Sequence, residues 1–383
     1  MSGDERLRRW RLVLGSAAEE PLGEGLSRSQ LGMDRALAAL YEDERGADLS
    51  RSSPRVARWL GDIRGYFPTS VVQVMQRDAM DRLGLHELLL EPEVLDQVEP
   101  DIHLVSTLVG LNRVIPEHTR ATARVVVRRV VEDVERRLEQ RTRQAITGAL
   151  DRAARTRRPR RLADVDWQRT IRANLRHYRP ELGTVVPERL VGYARRSQAV
   201  ERDILLCVDQ SGSMAASVVY SSIFAAVLAS IRSLRTSLVL FDTAVVDMTD
   251  QLADPVEVLF GAQLGGGTDI AQALRYTQGL IADPAQSLVV LISDLYEGGS
   301  SEELRRRAAE LAGSGAQLIV LLALSDEGAP AFDRDNAAFF AGIGAPAFAC
   351  TPDLFPELIA AAIERRDIDA WAAAQDIVTS RAA

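Results

Sequence analysis

Two stretches of this chain, Leu288-Val289-Val290-Leu291-Ile292 and Leu318-Ile319-Val320-Leu321-Leu322, are uninterrupted runs of strand-favouring apolar residues. A strand with one wet face alternates polar and apolar side chains, so a run with no polar member has both faces covered. From Arg202 onward such runs alternate with helical patterns. Strands are predicted at 204–208, 237–241, 244–248, 287–292, 317–324 and 347–350, and helices at 215–233, 269–281, 301–313 and 353–366. That order predicts an α/β fold: a doubly wound, mostly parallel sheet with helices on both faces. Ligands of such sheets bind beyond the C-terminal strand ends, where the strand order reverses.

Residues 1–150 read differently. Apolar residues recur at helical spacing over 31–41, 55–66, 69–83 and 102–111, with the charged segment 42–48, Pro92, Pro100 and Pro116 as breaks. Residues 119–155 contain no Gly or Pro before Gly148 and carry the i, i+4 pairs Glu132–Arg136 and Asp133–Arg137 of an exposed helix face. The expectation is an all-helical N-terminal domain over 1–150. A basic, Arg-rich connector with a short helix follows over 151–201, then the α/β domain over 202–366 and a C-terminal helix or tail over 367–383. In the connector Trp167, Ile171 and Leu175 recur every four residues, an apolar stripe expected to pack on the last domain.

Charge separates the same regions. The net charge is -8 overall, and it divides into -2 over 1–150, +8 over 151–202 and -14 over 203–383. The acidic balance argues against a general nucleic-acid binder. The basic connector, with its run over 155–161, is either a solvated linker or a contact for an acidic partner, and its aromatic residues Trp167, Tyr178 and Tyr193 are few for nucleic-acid stacking. All 46 Lys or Arg residues are Arg. That removes P-loop lysine, Schiff-base and lysine general-base chemistry. Cys207 and Cys350 each sit in an apolar, strand-like run, as buried thiols of a reducing compartment do. His86, His103, His118 and His177 show no metal-ligand spacing. Charged residues interrupt the N-terminus where a secretory signal would lie, and 214–231 reads as a buried helix rather than a membrane span. The expected location is cytoplasmic, with no membrane association.

Three loops fall at C-terminal strand ends and carry oxygen. Asp209-Gln210-Ser211-Gly212-Ser213 follows the strand at 204–208, Gly265-Gly266-Gly267-Thr268-Asp269 opens the helix at 269–281, and Ser293-Asp294 follows the strand at 287–292. Together they offer Asp209, Ser211, Ser213, Thr268 and Asp294, all hard oxygen donors. Magnesium takes about six oxygens and retains some of its waters, so two carboxylates with hydroxyls suit it. Around these, Asp242 either accepts from a bound water or caps the turn before Ala244. Asp269 is placed to cap its helix, Tyr296 and Glu297 overhang the site, and Gln210 flanks it on the rim. No G-x-S-x-G elbow surrounds Ser211 or Ser213, and residues 203–383 contain no histidine, which leaves little for a metal-dependent hydrolase.

Taken together, D-x-S-x-S, Gly-Thr and the strand-end Asp resemble the metal-ion-dependent adhesion site of von Willebrand factor A (VWA) domains. The stretch 166–176 followed by Val191-Gly192-Tyr193-Ala194-Arg195-Arg196 is similar to the Arg-rich lead-in of CoxE-like VWA proteins. The resemblance implies a Rossmann-like VWA fold and a bound Mg2+, with Mn2+ or Ca2+ as substitutes. It further implies a partner protein supplying an Asp or Glu, and no catalysis. The family implies a bacterial cytoplasmic adaptor or co-chaperone working with a MoxR-type AAA+ ATPase in maturation of metalloenzymes or other complexes. A chelatase-type VWA subunit is the alternative, though such subunits carry an AAA-like part for which 1–150 shows no pattern.

Overall fold

The computed structural model describes residues 26–41, 52–153, 165–193, 202–231, 233–262, 266–326 and 331–380, together with Trp10, Arg155 and Thr156. The charged segment 42–48, most of the basic run (157–161), Ala194-Arg195-Arg196 and Gly265 lie outside the described residues. The chain forms two compact units, 1–133 and 134–383. Sequence reading puts the first boundary at 150; the division falls inside a helix instead, because residues from 134 onward pack with the second unit.

In the first unit the helices are α1 (Arg28–Tyr41), α2 (Ser53–Tyr66), α3 (Thr69–Leu83), the single turn α4 (Pro92–Leu95) and α5 (Ile102–Gly110), followed by the start of α6 (Glu117–Ala153). Val56, Trp59, Leu60 and Ile63 line the buried face of α2, and the Trp59 indole N–H donates to the Ala36 carbonyl at 2.9 Å. The buried Gln76 amide holds the Glu99 backbone from both sides.

A six-stranded sheet organises the second unit. Its strands are β1 (Arg202–Asp209), β2 (Leu234–Phe241), β3 (Val245–Asp247), β4 (Ser287–Ile292), β5 (Gln317–Leu324) and β6 (Ala347–Cys350). The spatial order is β6-β5-β4-β1-β2-β3. Only the pairing of β3 with β2 is antiparallel. The chain leaves β1 for β2 on one side and returns as β4 on the other, so the strand order reverses between β1 and β4.

The helices are α7 (Trp167–Ala173), α8 (Ala215–Ala229), α9 (Pro255–Gly261), α10 (Ile270–Leu280), α11 (Ser301–Gly313), α12 (Arg334–Gly342), α13 (Phe355–Ile363) and α14 (Ile368–Ala374). One face of the sheet, with Leu205, Cys207, Val289 and Leu291, buries α10, α11 and α12 through Ile270, Leu274, Leu304, Leu311 and Phe340. α8 packs on β1, β2 and β5, and its Phe224 meets Phe355 of α13 with ring centroids 4.5 Å apart. α8 is buried over most of its surface, and its buried Ser221 and Ser222 hydroxyls donate back to the Val218 carbonyl. Gly212–Ala229 is long and apolar enough to cross a membrane, but 67% of it is buried inside the domain. Side-chain caps start most of the others: Asp166, Asp254, Asp269, Ser300, Asp333 and Asp367 each accept from a backbone N–H in the first turn. The C-terminal part of α6 belongs here too: Arg143 donates to Ser230 at 3.1 Å, and Arg141 stands 3.5 Å from Asp353. Ser380 N–H donates to the Ala347 carbonyl on β6 at 2.8 Å.

The connector corrects one expectation. Trp167, Ile171 and Leu175 do not pack on the sheet domain; they are 48%, 45% and 60% exposed, while Thr170 and Asn174 on the adjoining face are buried. The cause is hydrogen bonding. The Asn174 amide donates to the Thr170 and Arg189 carbonyls and accepts from the Glu188 and Arg189 N–H groups. The Thr170 hydroxyl donates to the Val191 carbonyl and accepts from the Val191 N–H. The polar face therefore clasps the bent segment 188–191 and turns the apolar face outward. Asn174→Ala orphans these buried backbone groups and should destabilise the clasp by about 2 kcal/mol. Amide exchange at Glu188 and Arg189 should then quicken by roughly thirty-fold, with the sheet amides unchanged.

Candidate metal centre at the strand switch

Parallel pairing sets Val208 of β1 opposite Ile292 of β4, so the chain emerges from both strands at the same level. The next residues, Asp209 and Ser293, touch: the Ser293 hydroxyl donates to Asp209 Oδ2 at 2.8 Å. Asp209 Oδ1 accepts the Ser211 N–H at 2.8 Å, which turns the chain sharply toward α8. Ser213 Oγ donates to Asp294 Oδ2 at 2.6 Å, and the Ser211 and Ser213 hydroxyl oxygens are 3.3 Å apart. Asp209, Ser211, Ser213, Ser293 and Asp294 thus form one hydrogen-bonded cluster.

Thr268 enters through its backbone. Its carbonyl accepts the Gly298 N–H at 2.7 Å, and a Cβ on Gly298 would stand 2.9 Å from that oxygen. Only glycine permits this approach, which joins the loop before α10 to the loop after Asp294. Thr268 is buried, and its hydroxyl makes no hydrogen bond among the described residues.

The flanking residues sort by their partners. Asp242 Oδ1 accepts the Ala244 N–H at 2.7 Å and so caps its own turn, while its carbonyl accepts the Asp269 N–H. Asp269 caps α10 through Gln272 N–H. Glu297 joins it: one carboxylate oxygen accepts Ile270 N–H at 2.9 Å and the other Gly299 N–H at 2.8 Å. Burial, with the Asp269 charge adding to it, raises the Glu297 carboxyl above its ordinary range. Tyr296 is exposed at the edge of the site. Gln210 is buried, 2% exposed, and so does not lie on the rim; its N–H continues the sheet by donating to the Phe241 carbonyl.

Two features were not read from sequence as parts of the site. Ser293 bridges Asp209 and the Leu295 N–H, which donates to its hydroxyl at 3.0 Å. The signal was its place directly before Asp294 at a strand end. Leu295 adopts a left-handed φ of 65°, a conformation that costs a residue with a Cβ about 1–3 kcal/mol. The start of α12 and its N-cap hold it there: Asn336 Nδ2 donates to the Leu295 carbonyl at 3.1 Å, and the Asp333 N–H to the Asp294 carbonyl at 2.9 Å.

The electrostatics are one-sided. Asp209 is fully buried and Asp294 is 5% exposed. Burial raises the Asp209 carboxyl above its usual range; the Ser211 and Ser293 hydrogen bonds oppose this, and the charge of Asp294 adds to it. Neither carboxylate has an ion pair among the described residues. No group of three or more His, Cys, Asp or Glu side chains placed to hold a metal occurs among the described residues. The donor set is instead two carboxylates with hydroxyls, and it fits a hard, oxygen-preferring cation.

A doubly wound parallel sheet with an acidic, hydroxyl-rich switch point defines the VWA class of domain. The family described as "VWA domain containing CoxE-like protein" matches residues 138–359, and the chain belongs to it. The chain is 38% identical over 356 residues to the uncharacterized protein YehP of Escherichia coli (strain K12), covering 90% of this chain and 93% of the relative. Two solved structures resemble part of it. BatB, a conserved hypothetical protein from Bacteroides thetaiotaomicron, is 17% identical with a TM-score of 0.27, covering 34% of this chain and 70% of that one. An aerotolerance-related membrane protein from Bacteroides fragilis NCTC 9343 is 16% identical with a TM-score of 0.31, covering 44% and 99%. The family match begins inside α6, as the second compact unit does.

Ser293→Ala removes the donor to Asp209 Oδ2 and the acceptor for the Leu295 N–H. Two buried groups lose partners, so a loss of roughly 3 kcal/mol is expected, read as a lower urea midpoint at unchanged slope.

Proposed function

We propose that this protein is a non-catalytic binding module that grips a carboxylate of a partner protein through a Mg2+ ion at the β1–β4 switch. The reading is carried by one observation: two neighbouring buried carboxylates, Asp209 and Asp294, lie among hydroxyls with no ion pair among the described residues. Asp209, Ser211, Ser213, Thr268 and Asp294 would hold the ion, directly or through water, as a metal-ion-dependent adhesion site. The ion supplies the positive charge that two buried carboxylates lack, with a position open to a partner's Asp or Glu. Ser293 orients Asp209 by its hydrogen bond, and Ser213 orients Asp294. Gly212 and Ser213 are exposed, so this side of the site is open to another protein.

Family membership supports the wider assignment of a cytoplasmic adaptor working with a MoxR-type AAA+ ATPase in the maturation of protein complexes. The absence of histidine from 203–383 and of lysine from the whole chain speaks against a Ser–His pair or lysine chemistry at this site.

Two measurements test the reading. Without divalent cations, Asp209→Asn should leave the melting temperature unchanged or raise it, because an uncompensated buried charge is removed. With Mg2+ at a hundred times its dissociation constant, the native chain should gain about 2.7 kcal/mol of stability and the variant none. A shift of equal size in both would place the ion elsewhere. For the partner, affinity capture from the source cytosol should yield an AAA+ ATPase or client that is lost with EDTA and with Asp209→Asn. Retention of the same partner under both conditions would defeat the proposal.

A further inference from the structure

A second surface, separate from the switch point, lies on the connector. Sixteen large apolar side chains are exposed among the described residues, and five of them fall between 167 and 186: Trp167, Ile171, Leu175, Tyr178 and Val186. Single exposed apolar residues are ordinary, whereas a contiguous set marks an interaction site. Trp167 and Ile171 lie on α7 at a spacing of four, and Leu175 follows in the short 3-10 turn Leu175–His177 after the helix ends. Beyond it the Tyr178–Val185 pairing and the Val186 N–H, which donates to the His177 carbonyl, bring the hairpin alongside.

The outward orientation is built. Rolling α7 to bury the stripe would break the bonds that Thr170 and Asn174, both buried, make to 188–191. Hydrogen bonding holds the apolar face away from the clasp, and it is exposed among the described residues.

Charge selects the occupant. Arg169 is paired with Asp166 at 3.5 Å and Arg176 with Glu188 at 3.4 Å, but Arg172 and Arg179, both exposed, have no ion pair among the described residues. By sequence the connector, 151–202, carries a net charge of +8. A second copy of this face would set arginine against arginine, so self-pairing is disfavoured. Trp167 and Ile171 stand one turn apart, about 6 Å along α7, and Leu175 follows in the 3-10 turn after it, an apolar row that suits an amphipathic helix bearing apolar residues at i, i+4 and i+7. We infer that the Trp167–Ile171–Leu175 face docks an acidic amphipathic helix of a partner protein, with Arg172 and Arg179 pairing to its carboxylates.

The test uses the full chain with Trp10→Phe, so that Trp167 is the exposed indole; Trp59 and Trp371 are buried. The probes are two synthetic helical peptides with the same leucine stripe, one flanked by Glu and the other by Lys. In the free chain Trp167 emission should be that of an exposed indole, open to acrylamide and independent of protein concentration. The Glu peptide should shift it to the blue and saturate, with affinity falling as salt is added, and the Lys peptide should not. Ile171→Asp should weaken the Glu peptide at least tenfold. Arg172→Glu with Arg179→Glu should transfer the preference to the Lys peptide, and this surface pair carries the test if Ile171→Asp folds poorly. An indole already shielded in the free chain, a shift that grows with protein concentration, or equal or absent response to both peptides would each overturn the inference.

Discussion

The β1–β4 pairing is the constraint around which the second unit is arranged. Parallel register brings two acidic strand ends to one level, where burial, with the charge of Asp294 adding to it, disfavours the ionisation of Asp209. Natural sheets bury carboxylates rarely and nearly always with a counter-charge. Here the compensation is partial and local: the Ser211 amide, the Ser293 hydroxyl and the Ser213 hydroxyl all point at the two carboxylates. Such donors ease the desolvation of an anion but leave the net charge in place.

Several contacts brace the same point. Leu295 is held in a strained conformation by Asn336 from the α12 side. Gly298 touches the Thr268 carbonyl, and Glu297 and Asp269 together occupy the free amides at the start of α10. These contacts tie the Thr268 and Asp294 loops to the starts of α10 and α12. Strain kept at a site and balanced by the surrounding packing is a sign of function rather than of error.

Much of this was legible in the sequence because burial on both faces leaves a plain mark. The strands of the central sheet appear as apolar runs, and the oxygen-bearing residues stand directly at their ends. What escaped was short or depended on polar partners. α9 and α12 span only seven and nine residues, and neither carries enough turns for a periodic signal. Ser293 lacks a signature because a serine after a strand is ordinary until its partner is known. The α7 stripe was misjudged for a different reason. Periodicity identifies an apolar face but not the face that is buried, and at Asn174 four hydrogen bonds outweighed the pull of Trp167, Ile171 and Leu175.

The two outer strands of the sheet are brief. β3 has three residues and runs against its neighbour; β6 has four, and the Ser380 amide already occupies one of its carbonyls. A long flat border of unpaired amides and carbonyls would act as a template for another chain. This sheet ends on both sides before such a border can form. Its growth is therefore self-limiting, and an acidic domain that carries so continuous an apolar interior is guarded against stacking with its own kind.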